Sequence, residues 1–286
     1  MKKRWHRRHI TEAIVKACMR ISFGLVAGSL ALILWTIISQ GIPSLSWEMI
    51  SQPPKGGFYL GGGGGILNAI LGSLYMAGAG TIIALVIGLP IALYLETYLT
   101  NSDWGRYVRL SLDVLWGIPS IVYGAFGFTL MLALGLRASM LGGIIVLALL
   151  ELPIMTRAMD EVIRMMPQDL SQAALALGST RLEVALRVVT RQMLPGIITA
   201  ILLAFGRGIG DAASVLFTAG YTDRMPSSLL SPVASLPLAI FFQLSTPFAT
   251  VRQRAYAAAL ILTVIVLAVS LGSRWISSRM SKFIVK

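Results

Sequence analysis

The chain has little of what soluble enzymes and secreted domains depend on. It contains one cysteine and two histidines in 286 residues, and 13% of its residues are charged, against about 25% in soluble domains. The lone Cys18 excludes an internal disulfide, and His6 and His9 lie in a basic N-terminal tail without metal-ligand spacing. A GxxxxGK[ST] phosphate loop and a nucleophile elbow are also missing. The sequence therefore predicts a non-enzyme that hydrolyses no ATP and binds no metal or other cofactor of its own.

Long apolar runs are present instead. Hydrophobic residues make up 56% of the chain, and the mean hydropathy is +0.78. A helix of roughly 20 apolar residues crosses a bilayer, and continuous runs favour helices over the alternating strands of a barrel. Six such tracts occur, at residues 18–39, 68–95, 110–134, 140–155, 194–219 and 255–276. The prediction is an all-α integral membrane protein with six transmembrane helices, the first of them an uncleaved span.

The distribution of basic residues predicts the orientation. Of the 24 Lys and Arg residues, 7 lie in residues 1–20, 2 between the second and third tracts, 5 between the fourth and fifth, and 4 near the C-terminus. If six helices cross the membrane, these 18 residues share one side, and the positive-inside rule makes that side, with both termini, cytoplasmic. The net charge of +12 is then explained by loops beside acidic membrane lipids, and no nucleic-acid binding is expected.

The tracts also predict how the chain is organised. In order, they give a basic cytoplasmic tail (1–17), the first helix (18–39), a periplasmic loop rich in proline and glycine (40–67), a core with five helices (68–276) and a cytoplasmic tail (277–286). The core includes a cytoplasmic loop at 159–193 and a periplasmic loop at 220–254. The loop 40–67, which contains Gly61 to Gly65, is expected to be a flexible connector, with a specific contact as the alternative.

One apolar segment is too short to span a membrane. Val233–Leu244 has 12 residues and lies in the second periplasmic loop, whereas a span takes roughly 20. Two alternatives remain open for it, a re-entrant or interfacial element and a short helix that lies under a partner.

A polar and charged segment, Pro167–Pro195, lies between two apolar tracts and is called the polar island below. Pro167 suits the start of a helix, Asp169 its positive end and Gly178 a left-handed cap, which together predict a short helix. A second helix is predicted from apolar residues at three-to-four spacing, namely Leu182, Ala185, Leu186 and Val189. Either a connector that rests on the membrane surface or a knob that enters a groove on another protein fits this pattern.

Arg207 and Asp211 lie inside the fifth apolar tract, four residues apart. An intramembrane ion normally faces protein or water and has a partner or a task, and spacing of four places both side chains on one helix face. One interpretation is that Arg207 donates to an oxyanion while Asp211 holds it in place. The other is a salt bridge that only anchors two helices.

The tracts contain two further acidic residues. Glu151 lies toward the cytoplasmic end of the fourth tract, where it lines a pathway, reaches to the interface or caps a break at Pro153; the sequence leaves these alternatives open. Asp113, at the start of the third tract, is expected to be interfacial.

The third tract contains residues that loosen a helix. Gly117 and Pro119 predict a bend, because proline removes a backbone hydrogen bond and clashes with the preceding turn. Ser120 and Tyr123 offer hydroxyls at this bend. They are expected either in a transport pathway or, alternatively, in helix packing.

The centre of the polar island resembles a known motif. Gln172-Ala173-Ala174, followed after three residues by Gly178, is similar to the EAA loop of bacterial ABC-importer permeases, and Leu194-Pro195 lies further on. Gln172 replaces the usual glutamate, and Thr190-Arg191 stands where that loop usually has Leu-Pro. The resemblance implies that a short helix docks into an ATPase subunit, and the residues implied in this coupling are Ser171, Gln172, Ala173, Ala174, Leu177 and Gly178.

Two further segments resemble phosphate-specific permeases of this family, of the PstA type. LWGIPSIVYGAFGF at 115–128 is similar to their third-span signature, and RGIGDAASVLFTA at 207–219 is similar to their fifth-span segment, with aspartate in place of the usual glutamate. The resemblance implies a type I ABC-importer permease fold and phosphate import by alternating access. The residues expected along the substrate pathway are Arg207, Asp211, Ser120, Tyr123 and Glu151, with Gly117 and Pro119 as a hinge.

The same resemblance implies the partners. A PstC-like second permease would complete the pore, two copies of a PstB-like ATPase would use ATP, and a PstS-like periplasmic protein would deliver phosphate, all at the bacterial cytoplasmic (inner) membrane. Two alternatives remain. One is a permease of the same plan for molybdate, sulfate or phosphonate, and the other is a stand-alone secondary transporter or channel.

Overall fold

The computed structural model describes residues 2–56 and 63–280, with side chains at 11–56 and 63–279, and in these ranges the only β-structure is an isolated bridge between Pro54 and Gly64. The helices are α1 (Lys2–Gly41), a 3₁₀ turn (Ile42–Ser44), α2 (Trp47–Ser51), α3 (Leu67–Thr97), α4 (Asp103–Gly117), α5 (Ser120–Ala133), α6 (Met140–Arg164), α7 (Gln168–Ala176), α8 (Arg181–Glu183), a π-helical segment (Val184–Val189), α9 (Thr190–Gln192), α10 (Leu194–Ile209), α11 (Leu236–Leu244) and α12 (Ala249–Met280). The predicted all-α class is confirmed.

Long apolar helices form most of the bundle. Within the described residues, α1, α3, α6 and α12 are long and apolar enough to cross a membrane, and the number rises to six if two bent pairs each count as one span. These pairs are α4 with α5, and residues 181–192 with α10. α6 packs against α3, α4, α5 and α10 at the centre, whereas α1 packs on α12 at the edge. The polar island connects α6 to α10, and the end of the bundle on which it lies is called the island end.

The third predicted helix, 110–134, is broken into two. α4 ends at Gly117, and α5 begins at Ser120 after a bend of 97°. Ile118 and Pro119 are extended, with ψ of 131° and 136°, because a residue before proline avoids the helical region and proline donates no N–H. The bend therefore falls between Gly117 and Ser120, which confirms the bend predicted at Gly117 and Pro119, and the third apolar tract forms two helices.

The fourth and fifth helices depart from their predicted bounds in opposite directions. α6 continues through Pro153 to Arg164, beyond the predicted end at residue 155, because the charges in its last turns are paired within the protein. α10 ends at Ile209, so the prediction of a helix through residue 219 is wrong. Residues 210–220 form turns instead. Chemically important side chains consequently lie at a helix end rather than in the middle of a span.

The polar island has the predicted first helix and a different second one. α7 follows Pro167 and ends before Gly178, whose φ of +88° lies in the left-handed region that favours glycine. The next stretch is partly π-helical, and a π turn holds more residues than an α turn. The predicted apolar face is therefore split, with Ala185 and Val189 buried but Leu182 and Leu186 exposed.

At the opposite end, the described part of the loop after α1 is tightly folded rather than a free connector. The Ile66 amide donates to the Met49 carbonyl at 2.8 Å, and the Gly65 amide donates to the Pro53 carbonyl at 3.2 Å. A Cβ on Gly65 would overlap the Met49 carbonyl oxygen, so a larger residue does not fit there. Gly61 and Gly62 lie outside the described residues.

The apolar segment Val233–Leu244 contains α11, a helix of 9 residues. Its length is too short to span a bilayer. α11 packs on α3 and α12, and Ser73 Oγ accepts from the Leu236 amide at 2.8 Å. Much of the segment is thus covered by other helices of the same chain.

Candidate functional site

Arg207 and Asp211 meet at the end of α10. Arg207 lies in the last turn of the helix, and Asp211 lies two residues beyond its end. Arg207 Nη1 is 3.1 Å from Asp211 Oδ1, and the two side chains are 50% and 5% exposed, respectively. Asp211 Oδ2 accepts from the Ser214 amide at 2.9 Å. The carboxylate is therefore buried and fixed, while the guanidinium faces open space and has no other hydrogen-bond acceptor within residues 63–279.

This arrangement has the chemistry of an oxyanion contact. A guanidinium presents five N–H donors in a planar fork that matches the oxygens of phosphate or carboxylate. Asp211 uses one donor of Arg207 and leaves the others available. The same carboxylate reduces the net charge next to the guanidinium, so an arriving anion would be held less tightly and could leave again.

Glu151 lies directly behind this pair. It is in the middle of α6 and fully buried, which contradicts its predicted place near the end of the helix. Thr81 Oγ1 of α3 donates to Glu151 Oε2 at 2.6 Å, and a Cβ on Gly208 would overlap Glu151 Oε1. α6 is unbroken at Pro153. Reaching to the interface and capping a break are therefore both wrong for Glu151, which supports α10 from the protein interior.

α5 approaches the pair from another side. A Cβ on Gly124 would lie 2.8 Å from the carbonyl oxygens of both Ala213 and Ser214. A real Cβ does not occupy such a position, so glycine is needed for α5 to pack directly on the turn that begins at Asp211. α5 and α10 are thus two neighbouring walls of one region.

The bend between α4 and α5 is braced by a side chain that the sequence placed in the pathway. Tyr123 Oη donates to the Leu115 carbonyl at 2.9 Å, which bridges the break at Gly117 to Pro119. Ser120 is half-buried as the first residue of α5. The structure therefore brings Tyr123 near the Arg207 region while engaging its hydroxyl locally.

A second group of charges lies at the island end of the bundle. Arg109 of α4 is buried; its Nε is 2.9 Å from Asp160 Oδ2 of α6, and its Nη2 is 2.6 Å from Glu96 Oε1 of α3. Asp160 is fully buried and also accepts from Arg157 Nη1 at 2.8 Å. Three helices are joined by these contacts.

Two half-exposed residues, Asp113 and Arg164, extend this group. Asp113 Oδ1 of α4 is 2.7 Å from Arg157 Nε of α6, and Arg164 Nε is 3.1 Å from Glu96 Oε1. Asp113 is thus part of an ion pair as well as half-exposed. The ion network, as it is called below, comprises Glu96, Arg109, Asp113, Arg157, Asp160 and Arg164.

The coupling residues implied by the EAA-like motif lie on a helix that projects from the bundle. α7 has no buried residue, and Leu177 just after it is 88% exposed. Ser171 and Ala174 are half-buried, whereas Gln172, Ala173 and Gly178 are exposed. Part of α7 also borders a cavity of about 630 Å³ that it shares with the loop after α3. Small residues and an exposed leucine are therefore open to a partner.

The sequence pattern missed several residues that the structure brings together. Thr81 and Gly208 carry no charge and stand in apolar tracts, so nothing in the pattern distinguishes them. Arg157, Asp160 and Arg164 do carry a signal, since their spacing of three and four continues one helix face past the fourth tract. That face would have indicated a longer helix with a charged partner.

Known proteins similar to this chain are membrane transport components. Residues 84–282 match the family described as binding-protein-dependent transport system inner membrane component. The phosphate transport system permease protein PstA of Haemophilus influenzae is 33% identical, with 94% of this chain and 94% of that protein covered. The protein of the same name in Xylella fastidiosa (strain Temecula1) is 37% identical, with 92% and 90% covered.

Solved structures with the same fold come from ABC transporters. A chain of the MetNI methionine ABC transporter in an inward-facing conformation matches with a TM-score of 0.63 at 18% identity, covering 82% of this chain and 99% of that one. A chain of a bacterial alginate ABC transporter matches with a TM-score of 0.54 at 15% identity, covering 92% and 97%. At these identities the likeness shows the fold alone.

Proposed function

Because the chain belongs to the family of binding-protein-dependent transport system inner membrane components, we propose that it is a PstA-type permease subunit that carries inorganic phosphate from the periplasm to the cytoplasm. It is a multi-pass transport subunit of an ABC importer and not an enzyme, and importers of this family work with an ATPase and a substrate-binding protein. The proposed location is the bacterial cytoplasmic membrane.

The proposed topology has six crossings with both termini in the cytoplasm. Six spans result when each bent pair is counted once. The positive-inside rule then places the island end, with α7 and the ion network, in or near the cytoplasm. The end that carries the loop after α1 faces the periplasm, where a PstS-like binding protein would deliver phosphate.

The single observation that carries the substrate assignment is the half-exposed Arg207 held by the buried Asp211. A fully paired arginine would have no donors left for a ligand, whereas Arg207 keeps most of its donors. Two relatives more than 30% identical to this chain are named for phosphate transport, and phosphate oxygens suit the guanidinium fork. In the proposal, Arg207 binds phosphate transiently during alternating access, and Ser120 and Tyr123 lie along the same path.

Uptake by the complete complex tests this assignment. The chain is reconstituted in vesicles with a PstC-like permease, two PstB-like ATPase subunits and a PstS-like binding protein, and ATP-driven uptake of radiolabelled phosphate is measured. Arg207→Gln is expected to lower the uptake rate about tenfold or more, because a charge-assisted hydrogen bond contributes about 1.5–3 kcal/mol. Arg224→Gln, at an exposed position in the loop after Gly220, is the matched control and should leave uptake unchanged.

Three results would contradict the substrate assignment. Wild-type uptake in Arg207→Gln would remove Arg207 from the pathway. Stronger stimulation of ATP hydrolysis by sulfate, molybdate or a phosphonate than by phosphate would favour a permease for another oxyanion. Uptake driven by an ion gradient without the ATPase would favour a secondary transporter.

The proposal also assigns α7 and Gly178 as the contact with the ATPase. The helix has exposed alanines and no buried residue, and Leu177 projects into open space. An exposed leucine beside small residues suits an apolar groove on another protein. Gln172 stands where the motif usually has glutamate, so this contact would depend on shape and apolar area more than on a carboxylate.

Co-purification tests the ATPase contact. Leu177→Asp is expected to abolish recovery of the ATPase with the permease pair, because it places a charge in an apolar interface. Leu229→Asp, which changes another exposed leucine at the opposite end of the bundle, is the control and should retain the ATPase. Equal recovery with both variants would exclude Leu177 from the contact.

The remaining partners follow from the same assignment. A single chain of this fold supplies one half of a permease pair, so a PstC-like subunit is proposed for the other half. The chain itself is proposed to bind no cofactor, and ATP is used only by the ATPase partner.

A further inference from the structure

Asp160 is the centre of the ion network. Its carboxylate is fully buried and accepts Arg109 Nε at 2.9 Å, Arg109 Nη2 at 3.1 Å and Arg157 Nη1 at 2.8 Å. The two bonds from Arg109 reach different carboxylate oxygens, which is the fork arrangement that fixes both distance and orientation. Because breaking a buried ion pair is strongly unfavourable, this contact resists separation of α4 from α6, although the long Arg109 side chain still lets α4 pivot about it.

The two helices that Asp160 joins lead to different functional parts. α6 ends at Arg164 and α7 begins at Gln168, so α7 is attached to α6 by a short connection. α4 continues through the 97° bend into α5, which packs on the turn after Asp211 through Gly124. A displacement of the polar island can thus reach the Arg207 region in two ways. It moves α10, which contains Arg207, directly, and it moves α5 through the ion network and α4.

We propose that the ion network is a rigid joint that fixes α4 to the last turns of α6, so that displacement of α7 by the ATPase moves the bend and α5 together with α6. Asp113 and Asp160 are positioning residues in this step, because they hold Arg157 and Arg109 between the helices and touch no substrate. The joint rests on the proposed docking of the ATPase at α7. It does not depend on which oxyanion is carried.

Asp113 allows the joint to be loosened without leaving a buried charge unpaired. Its side chain is 47% exposed, and without it Arg157 would still contact Asp160 at 2.8 Å and Glu161 at 3.5 Å. What Asp113 adds is a tie from Arg157 of α6 to α4. Asp113→Ala is therefore expected to fold and assemble normally, unlike a change at Asp160.

Coupling efficiency is the first measurement. In the reconstituted complex, Asp113→Ala should lower the phosphate imported per ATP hydrolysed about fivefold. Losing a partly exposed ion pair changes a conformational equilibrium by about that factor. Asp113→Glu, which keeps the carboxylate, should restore most of it. The control is Asp103→Ala on the same helix, because Asp103 pairs with Arg106 within α4 and both are more than 70% exposed. Melting temperature and complex yield should match wild type in all three variants.

The distance between α4 and α6 is the second measurement. With Cys18→Ser removing the lone cysteine, spin labels are attached at Tyr107→Cys on α4 and Met165→Cys at the end of α6, both exposed positions. The labelled complex is compared without nucleotide and with ATP trapped. A rigid joint predicts an unchanged distance in wild type and an altered distance in Asp113→Ala after ATP binding.

Two outcomes would overturn the joint. One is a wild-type distance between α4 and α6 that changes when ATP is trapped, and the other is unchanged coupling in Asp113→Ala. Failure of the proposed substrate would look different, since the labelled helices would still move as one body while phosphate uptake was missing.

Discussion

The ion network and the Arg207–Asp211 pair both hold an arginine against a carboxylate inside the helix bundle, but the two arginines have different numbers of partners. Arg109 is buried and donates to Asp160, to Glu96 and to the Leu95 carbonyl. Arg207 is half-exposed and donates to Asp211 alone among the described acceptors. The first arginine is enclosed by its own protein, and the second is presented to its surroundings.

The difference separates charges that hold helices together from charges available to a ligand. In the ion network, three arginines face three carboxylates, so its charges balance and its buried members are satisfied. At the end of α10 the carboxylate is the satisfied partner, because Asp211 receives both Arg207 and the Ser214 amide. The free donors all belong to the arginine. An anion is therefore the ligand class that the second region suits.

The same substitution in both regions gives the largest expected contrast. Arg109→Gln should lower the free energy of unfolding by about 3–5 kcal/mol, because it leaves Asp160 and Glu96 as poorly compensated carboxylates in the interior. Arg207→Gln should lower it by about 1 kcal/mol or less, because the Arg207 guanidinium is half-exposed and the buried Asp211 keeps its bond from the Ser214 amide. Denaturant unfolding of the purified chain in detergent measures both. Equal losses would mean that the two arginines have the same structural role.

A substitution at Gly208, where α10 closely contacts Glu151, gives the next-largest expected loss of unfolding free energy. Gly208→Ala should lower the free energy of unfolding by about 2–3 kcal/mol, since the added methyl overlaps Glu151 Oε1 and forces the two helices apart. Gly206→Ala on the same helix is the control, because a Cβ at Gly206 meets no atom within 4 Å. That change should be neutral or slightly stabilising. Similar losses in the two variants would show that the effect is not due to Glu151.

The turn at Asp211 gives a smaller effect. Asp211→Ala should lower the free energy of unfolding by about 1–2 kcal/mol, because the Ser214 amide loses its acceptor in a buried turn. Asp211→Asn keeps a side-chain oxygen for that amide and should lose less than half as much. If alanine and asparagine were equally damaging in unfolding experiments, the contact with Arg207, and not the turn, would be the stabilising part of Asp211.

The two regions also differ in how far the sequence predicts them. Arg207 and Asp211 stand out because they interrupt an apolar tract, and their pairing at a spacing of four follows from local geometry. The ion network pairs Arg109 with Asp160, which are 51 residues apart, and no local spacing on the sequence connects the two. Only the extension of α6 to Arg164 places Asp160 opposite α4, and hydropathy does not reveal that extension.

The limits of the predicted helices have a similar physical origin. α3 follows its apolar tract closely, since burial in lipid or protein is the dominant signal for a long helix, whereas α12 begins six residues before its predicted tract and ends four residues after it. The fifth helix ends ten residues before its predicted end at 219, because the turns at 210–220 are as apolar as a span and hydropathy cannot distinguish them. The bend at Pro119 was predictable from covalent geometry, but its angle is set by the packing of α5 on α6 and on the turn after Asp211.

Glu151 is a buried acid that belongs to neither group of arginines, and its substitution by glutamine gives the smallest expected effect. Glu151 Oε2 accepts a hydrogen bond from Thr81 Oγ1, and this contact requires an oxygen acceptor but no negative charge. Glu151→Gln keeps that oxygen and the side-chain volume beside Gly208, so unfolding free energy should change by about 1 kcal/mol or less and phosphate uptake should be retained. Glu151→Leu removes the acceptor and should be the more damaging variant in both measurements. Loss of uptake in a stably folded Glu151→Gln would show instead that the carboxylate itself acts during transport, and the region behind Arg207 would then have to open during the cycle.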